Sequence, residues 1–124
     1  MKKKILIVDD EKRVRDLVKA TLEVQSEDLD IFEANDGKEA LIKAKEIIPD
    51  LIILDVMMPG VSGYQVCKEI RKMPEAASTI VLFLTARGGE LSEKTVEISG
   101  GDDIMTKPFN PIELRLKARK MLGI

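Results

Sequence analysis

Four short stretches of this chain carry a charged or hydroxyl side chain where an apolar run ends. Residues 4–10 read KILIVDD, 51–55 LIILD, 80–86 IVLFLTA and 104–108 IMTKP. Each apolar run looks like a buried strand, and the runs end in Asp9-Asp10, Asp55, Thr85-Ala86 and Lys107-Pro108. An ionised carboxylate buried without a partner costs several kcal/mol, comparable to the whole stability margin of a domain. Asp55 therefore either stands in solvent at the end of its strand or has its charge compensated. Clustered carboxylates repel, which raises a pKa or demands a cation. Oxygen ligands without His or Cys favour Mg²⁺, which binds through one or two carboxylates and keeps several waters.

Whether these residues meet depends on the elements that carry them. Lys4–Val8 reads as a strand, and Val14, Leu17, Val18 and Leu22 then recur at helical spacing. Leu29–Ala34 alternates as a second strand, followed by a helix marked by Ala40, Leu41, Ala44, Ile47 and Ile48 and ended by Pro49. Leu51–Leu54 is the third strand, with a Pro-Gly turn after it and a helix on Val66, Cys67 and Ile70 that opens near Gly63. Ile80–Leu84 is a continuous apolar strand, as expected when both faces are covered. A weaker helix over Leu91–Ile98 follows the Gly88-Gly89 pair, then a short strand Ile104–Thr106 and a last helix Pro111–Leu122, with Pro at its start.

Strand–helix units repeated in this way imply an α/β fold with a doubly wound, five-stranded parallel sheet. The flavodoxin-like order 2-1-3-4-5 is the leading arrangement, and ligands bind such sheets at the carboxyl ends where the order reverses. That crevice lies between strands one and three, so Asp9, Asp10 and Asp55 converge there. For the Asp9-Asp10 pair alone, capping of the first helix and metal binding are equally good accounts. With Asp55 at the neighbouring strand end the metal account becomes the better one. A lone Thr after a strand is usually a turn residue and a lone Lys usually solvated. A hydroxyl, an ammonium and Mg²⁺ around one carboxylate are nevertheless what a phosphoryl group on that carboxylate would need.

Composition narrows the choice. The chain has 124 residues, 44% of them apolar, which suits one globular domain spanning 1–124, and no linker or repeat interrupts it. A net charge of −2 gives no general pull toward nucleic acid, and 3% aromatic content without Trp argues against a base-stacking platform and a flavin site. Cys67 is the one cysteine and there is no histidine. That excludes an internal disulfide, a Ser-His-Asp triad, a histidine metal ligand and a phosphohistidine carried by this chain; Cys67 reads as a small buried hydrophobe. The N-terminal MKKKILIVDD has too short an apolar run for a signal peptide, and no stretch approaches a membrane span, so a soluble, cytoplasmic protein is expected.

The stretches ILIVDDE, LIILDVMMPGVSG, LFLTA and GGDDIMTKPFNPIEL, in this order and on these elements, resemble the receiver (CheY-like) domain of two-component response regulators from Lys3 to Leu122. The resemblance implies that Asp55 is the phosphoacceptor, with Asp10 a direct Mg²⁺ ligand, Asp9 holding the metal largely through water, and the main-chain carbonyl of Met57 completing the set. Lys107 would pair with the phosphoryl oxygens, Thr85 would donate its hydroxyl to one of them, and Lys107–Pro108 would be a cis peptide. The phosphoryl donor would be a sensor histidine kinase, a phosphotransfer protein or a small phosphodonor such as acetyl phosphate. The protein would catalyse its own phosphorylation and slow dephosphorylation without turning over an external substrate. Its signal would pass to an effector protein or domain, or to a homodimer, through the face of the helix at 91–98, the fifth strand and the last helix.

The chain departs from this family at Ile104, where receivers commonly carry Tyr or Phe as the rotameric partner of Thr85. Met57 and Arg87 stand at the positions that tune access of the hydrolytic water, next to Ala86, and neither is a water activator. A Mg²⁺-dependent haloacid-dehalogenase-like phosphatase also uses a strand-end Asp, but needs a second acid where this chain has Met57. A flavodoxin would need a Ser/Thr-rich phosphate loop where this chain has DDEKR. A receiver-like binding module that is never phosphorylated is disfavoured by the complete set of Asp9, Asp10, Asp55, Thr85 and Lys107.

Overall fold

The apolar runs become strands whose alternate residues face opposite helical layers. In the structure, a computed structural model that describes residues 2–24, 27–86, 96 and 99–124, the elements follow in the order β1 (Lys3–Val8), α1 (Lys12–Glu23), β2 (Leu29–Ala34), α2 (Gly37–Ile47), β3 (Leu51–Asp55), α3 (Gly63–Arg71), β4 (Ile80–Thr85), β5 (Asp103–Thr106) and α4 (Pro111–Leu122). The five strands are parallel and ordered β2-β1-β3-β4-β5, the α/β arrangement expected from the sequence. The expected helix over 91–98 lies, apart from Val96, outside the described residues, as do Arg87, Gly88 and Gly89.

Two cores flank the sheet. Ile5, Ile7, Ile53, Leu82 and Leu84 pack against Val18 and Leu22 of α1 and Leu114 and Ala118 of α4. The intervening residues Leu6, Val8, Ile52, Leu54, Val81 and Phe83 pack against Ala40 and Ala44 of α2 and Val66, Cys67 and Ile70 of α3. This is the period-two alternation of a strand, with both faces buried. The Phe83 ring meets Tyr64 edge-on at a centroid distance of 5.1 Å, a favourable arrangement for two aromatic quadrupoles.

The helix starts are chemically explicit. Asp36 caps α2 by accepting from the Glu39 amide at 2.7 Å. Ser62 and Gln65 form a capping box on α3, the side chain of each accepting from the backbone amide of the other. Asn110 caps α4, with Pro111 in its first turn. Where α2 was expected to include Ile48, the helix stops at Ile47. Ile48 takes the left-handed conformation (φ 52°) while its amide still bonds the Ala44 carbonyl, so a cap turns the chain ahead of Pro49.

These starts bear directly on the site. The Gly63 amide donates to the Val56 carbonyl at 3.0 Å, and a Cβ on Gly63 would strike the main-chain carbonyl of Asp55 and the Val56 Cα. The first residue of α3 thus presses on the backbone that carries Asp55. Gly63→Ala is expected to cost roughly 1–3 kcal/mol through this overpacking. In urea unfolding it should lower the midpoint at unchanged slope; a parent-like midpoint would contradict so close an approach.

Candidate functional site

The site is assembled by strand register. Val8 of β1 is paired with Leu54 of β3, so the next residues, Asp9 and Asp55, emerge side by side at the carboxyl ends. On the other side Asp55 pairs with Leu84, and Thr85 pairs with Thr106 immediately before Lys107. Four strand ends thus deliver Asp9, Asp55, Thr85 and Lys107 to one edge, and Asp10 follows in the loop. One carboxylate oxygen each from Asp9, Asp10 and Asp55 lie within 4.8 Å of one another.

Asp55 is itself the last residue of β3 and its side chain is 5% exposed, which answers the question its position raised: it is not a solvated strand end. Its compensation is partial. Lys107 Nζ lies 2.7 Å from Asp9 Oδ2 but 3.6 Å from Asp55 Oδ2, and the Met57 amide donates to Asp55 Oδ1 at a long 3.3 Å. Burial first, and then the neighbouring charge of Asp9, push the Asp55 carboxyl up to about 6. For Lys107, burial opposes the ammonium, but the hydrogen bond to Asp9 and the charges of Asp55, Asp9 and Glu11 outweigh it and raise its pKa.

Asp9 is held on every side. Its amide donates to the Ala34 carbonyl at 3.3 Å, and its Oδ1 accepts from the Glu11 amide at 2.9 Å. Its own carbonyl accepts from Arg15 Nη1 at 2.8 Å. Neither Asp9 nor Asp10 caps α1, because Glu11 occupies that position and makes no side-chain cap bond. Asp10 is exposed at the mouth of the crevice. Three hard carboxylates, two of them buried and only one closely paired, suit a small divalent cation such as Mg²⁺ better than any soft metal.

The other residues singled out in the sequence lie around this centre. Met57 is 71% exposed, Thr85 is buried and its carbonyl accepts from the Lys107 amide, and Ala86 is exposed. Lys107–Pro108 is cis. Ile104 is half-buried and pairs with Phe83 across the β4–β5 ladder. Cys67 is fully buried, and desolvation pushes its thiol up to about 11, so it is packing rather than a nucleophile. Arg15, which no sequence pattern singles out, lies partly buried against the site, its side chain 14% exposed. Its position in the first turn of α1 was the available signal, since that turn rises directly from the Asp9-Asp10 loop.

Comparison with known proteins agrees with this geometry. The family described as "Response regulator receiver domain" matches residues 5–119. The chain is 43% identical over 119 residues to the transcriptional regulatory protein ResD of Bacillus subtilis, covering 96% of this chain and 48% of ResD. It thus spans about half the length of the curated relatives it matches. A putative response regulator from Chloroflexus aurantiacus superposes over 100% of both chains with a TM-score of 0.90 at 31% identity. The BeF3-activated receiver domain of DrrB, a Thermotoga maritima OmpR/PhoB homologue, does so over 100% of both chains with a TM-score of 0.83 at 32% identity. Identity of this order along nearly the whole chain, on a sheet of the same order with its acids at the switch point, leaves one conclusion: the chain belongs to the response regulator receiver family, with the CheY-like fold and OmpR/PhoB-type regulators among its homologues.

Proposed function

We propose that the protein is a phosphorylation-controlled signalling switch, with Asp55 as the phosphoacceptor and a histidine kinase or phosphotransfer protein as donor. The observation that carries this reading is the placement of Lys107 Nζ at 2.7 Å from Asp9 and 3.6 Å from Asp55 beside three converging carboxylates. In the transfer, an Asp55 oxygen attacks phosphorus in line. The O–P bond forms as the N–P bond of the donor phosphohistidine breaks, and the electron pair returns to the imidazole nitrogen. A Mg²⁺ bound by Asp9, Asp10, Asp55 and the Met57 carbonyl would supply positive charge for the phosphoryl oxygens. Lys107, loosely paired with Asp55, turns toward the same oxygens, and Thr85 donates its hydroxyl to one of them. Water later cleaves the acyl phosphate, releasing inorganic phosphate and restoring the Asp55 carboxylate.

The output follows from what borders Thr85 and Lys107. β5 and α4 lie directly beyond them, and α4 presents Ile112 and Leu116 at 58% and 59% exposure, four residues apart on one helical face. Apolar exposure of this kind supports docking of an effector or a second copy of the chain. Ile104 has a stiff β-branched side chain and no polar tip, so coupling is carried by backbone movement rather than by a swinging ring. Met57 at the second position after Asp55 disfavours the phosphatase alternative. No helix among the described residues is long and apolar enough to cross a membrane.

Incubation with acetyl phosphate and Mg²⁺ followed by intact-mass measurement tests the reading. A stable gain of one phosphoryl group is expected. Continuous phosphate release would indicate a phosphatase, and an unchanged mass a binding module.

Asp55→Asn should abolish phosphoryl uptake, and labelling equal to the parent would place the acceptor elsewhere. The same variant has a pH signature. With its pKa raised from 3.8 to about 6, folded Asp55 retains a proton that the unfolded chain has released. Metal-free stability therefore falls as pH rises from about 4 to 6, by roughly 1–3 kcal/mol. Asp55→Asn should remove this contribution and gain a similar amount at pH 7. Urea unfolding at pH 4.5 and pH 7 without Mg²⁺ checks it; an unchanged pH slope would overturn it.

Asp10→Ala should weaken Mg²⁺ by at least about tenfold in calorimetry, since a direct ligand is lost. Unchanged affinity would remove Asp10 from the metal site.

A further inference from the structure

The contacts of Arg15 reach beyond its own helix. Its Nη1 donates to the Asp9 carbonyl at 2.8 Å and its Nε to Glu33 Oε1 at 3.2 Å. Glu33 sits on β2 next to Ala34, whose carbonyl receives the Asp9 amide. It is held in turn by Lys43 of α2, which donates to its main-chain carbonyl, and by Lys19 at 3.8 Å from its Oε2. One planar guanidinium therefore ties the exit of β1 to the edge strand. An ammonium, a single point of charge on a flexible stem, could not span both acceptors in this way.

The acceptor at the site is what gives this clamp its consequence. The Asp9 carbonyl belongs to the planar peptide that also contains the amide and Cα of Asp10. Fixing its direction fixes where Asp10 leaves the chain. On the other side of Asp10, the Glu11 amide is bonded to Asp9 Oδ1. Asp10 is exposed and lies in a loop between two elements, so its backbone is the part of the acidic cluster most in need of an external constraint.

We infer that Arg15, anchored by Glu33, is a positioning residue that sets the Mg²⁺ affinity of the acidic cluster by orienting the Asp9–Asp10 peptide. This rests on the proposed reading of the cluster as a Mg²⁺ site. Electrostatics alone gives the opposite expectation: loss of a cation beside a cation site would tighten Mg²⁺ binding. The sign of the change therefore separates orientation from charge.

The experiment measures Mg²⁺ affinity by calorimetry, and the rate of phosphoryl uptake from acetyl phosphate across Mg²⁺ concentrations, for the parent, Arg15→Met, Arg15→Lys and Arg13→Met. Arg15→Met keeps most of the apolar stem and loses the fork. It should weaken Mg²⁺ on the order of tenfold and move the Mg²⁺ midpoint of uptake by the same factor, with the plateau rate within about twofold of the parent. Arg15→Lys should fall between the two, and carries the test if Arg15→Met does not fold. Arg13→Met, an exposed neighbour on the same helix, should match the parent. Parent-like or tighter Mg²⁺ binding by a folded Arg15 variant, even with a lowered melting temperature, would make Arg15 a structural brace only and overturn the inference. A parent that binds no Mg²⁺ would instead overturn the underlying reading of the site.

Discussion

Repulsion among three carboxylates at one sheet edge is the constraint on which the rest of the structure depends. Oxygens of Asp9, Asp10 and Asp55 lie within 4.8 Å of one another, and two of these groups are buried. Such a cluster lowers the stability of the domain that carries it, and the surroundings are arranged to contain the cost. Lys107 comes from the far end of the sheet to pair with Asp9 at 2.7 Å, main-chain amides reach Asp9 and Asp55, and Asp10 stays in water. What is left uncompensated is concentrated on Asp55, the group whose pKa is raised to about 6. A buried carboxylate short of partners gains from a nearby cation.

The apolar architecture makes this tension tolerable. Side chains of β1, β3 and β4 are buried on both faces between α1 and α4 on one side and α2 and α3 on the other. Strands held this way leave little freedom at their ends, so the acids cannot relax apart by fraying. Gly63 carries the same logic into α3, whose first residue lies against the Asp55 main chain because no Cβ intervenes. Rigid positioning and electrostatic strain are thus two aspects of one design, consistent with functional sites being where local stability is given up.

The far side of the site is built differently. β5 is a short edge strand of half-exposed residues, and Asp103 bonds Lys117 of α4 at 2.6 Å. Burial opposes the charged form of Asp103, but the hydrogen bonds from Lys117 and from the Ile104 amide, with the charge of Lys117, together outweigh it and hold the carboxyl below its usual range. Beyond this edge α4 buries Leu114 and Ala118 in the core and leaves Ile112 and Leu116 exposed on its outer face.

Much of the fold was legible in the sequence because burial on both faces imposes continuous apolar runs, and turn chemistry at Pro49, Pro59-Gly60 and Pro111 marks the boundaries. The carboxylate cluster was legible for a related reason. A charge directly after a buried strand has few benign explanations, and parallel strands bring such ends to one edge. Boundaries were less so: Ile48, apolar and in helical register, is a left-handed cap because the chain must turn before Pro49. Which acid pairs with Lys107, at 2.7 Å for Asp9 against 3.6 Å for Asp55, depended on tertiary geometry. Arg15 was invisible for the same reason. Its significance lies in a main-chain carbonyl six residues away and a glutamate eighteen residues away, and no periodicity encodes where a long flexible side chain ends. By itself the sequence determined which groups end the buried strands, since strand extent and period are set by local hydrophobic pattern; only the tertiary structure decided the order that brings those ends together and how their charges are shared, since Coulomb energies and hydrogen bonds depend on distances that arise when distant segments pack.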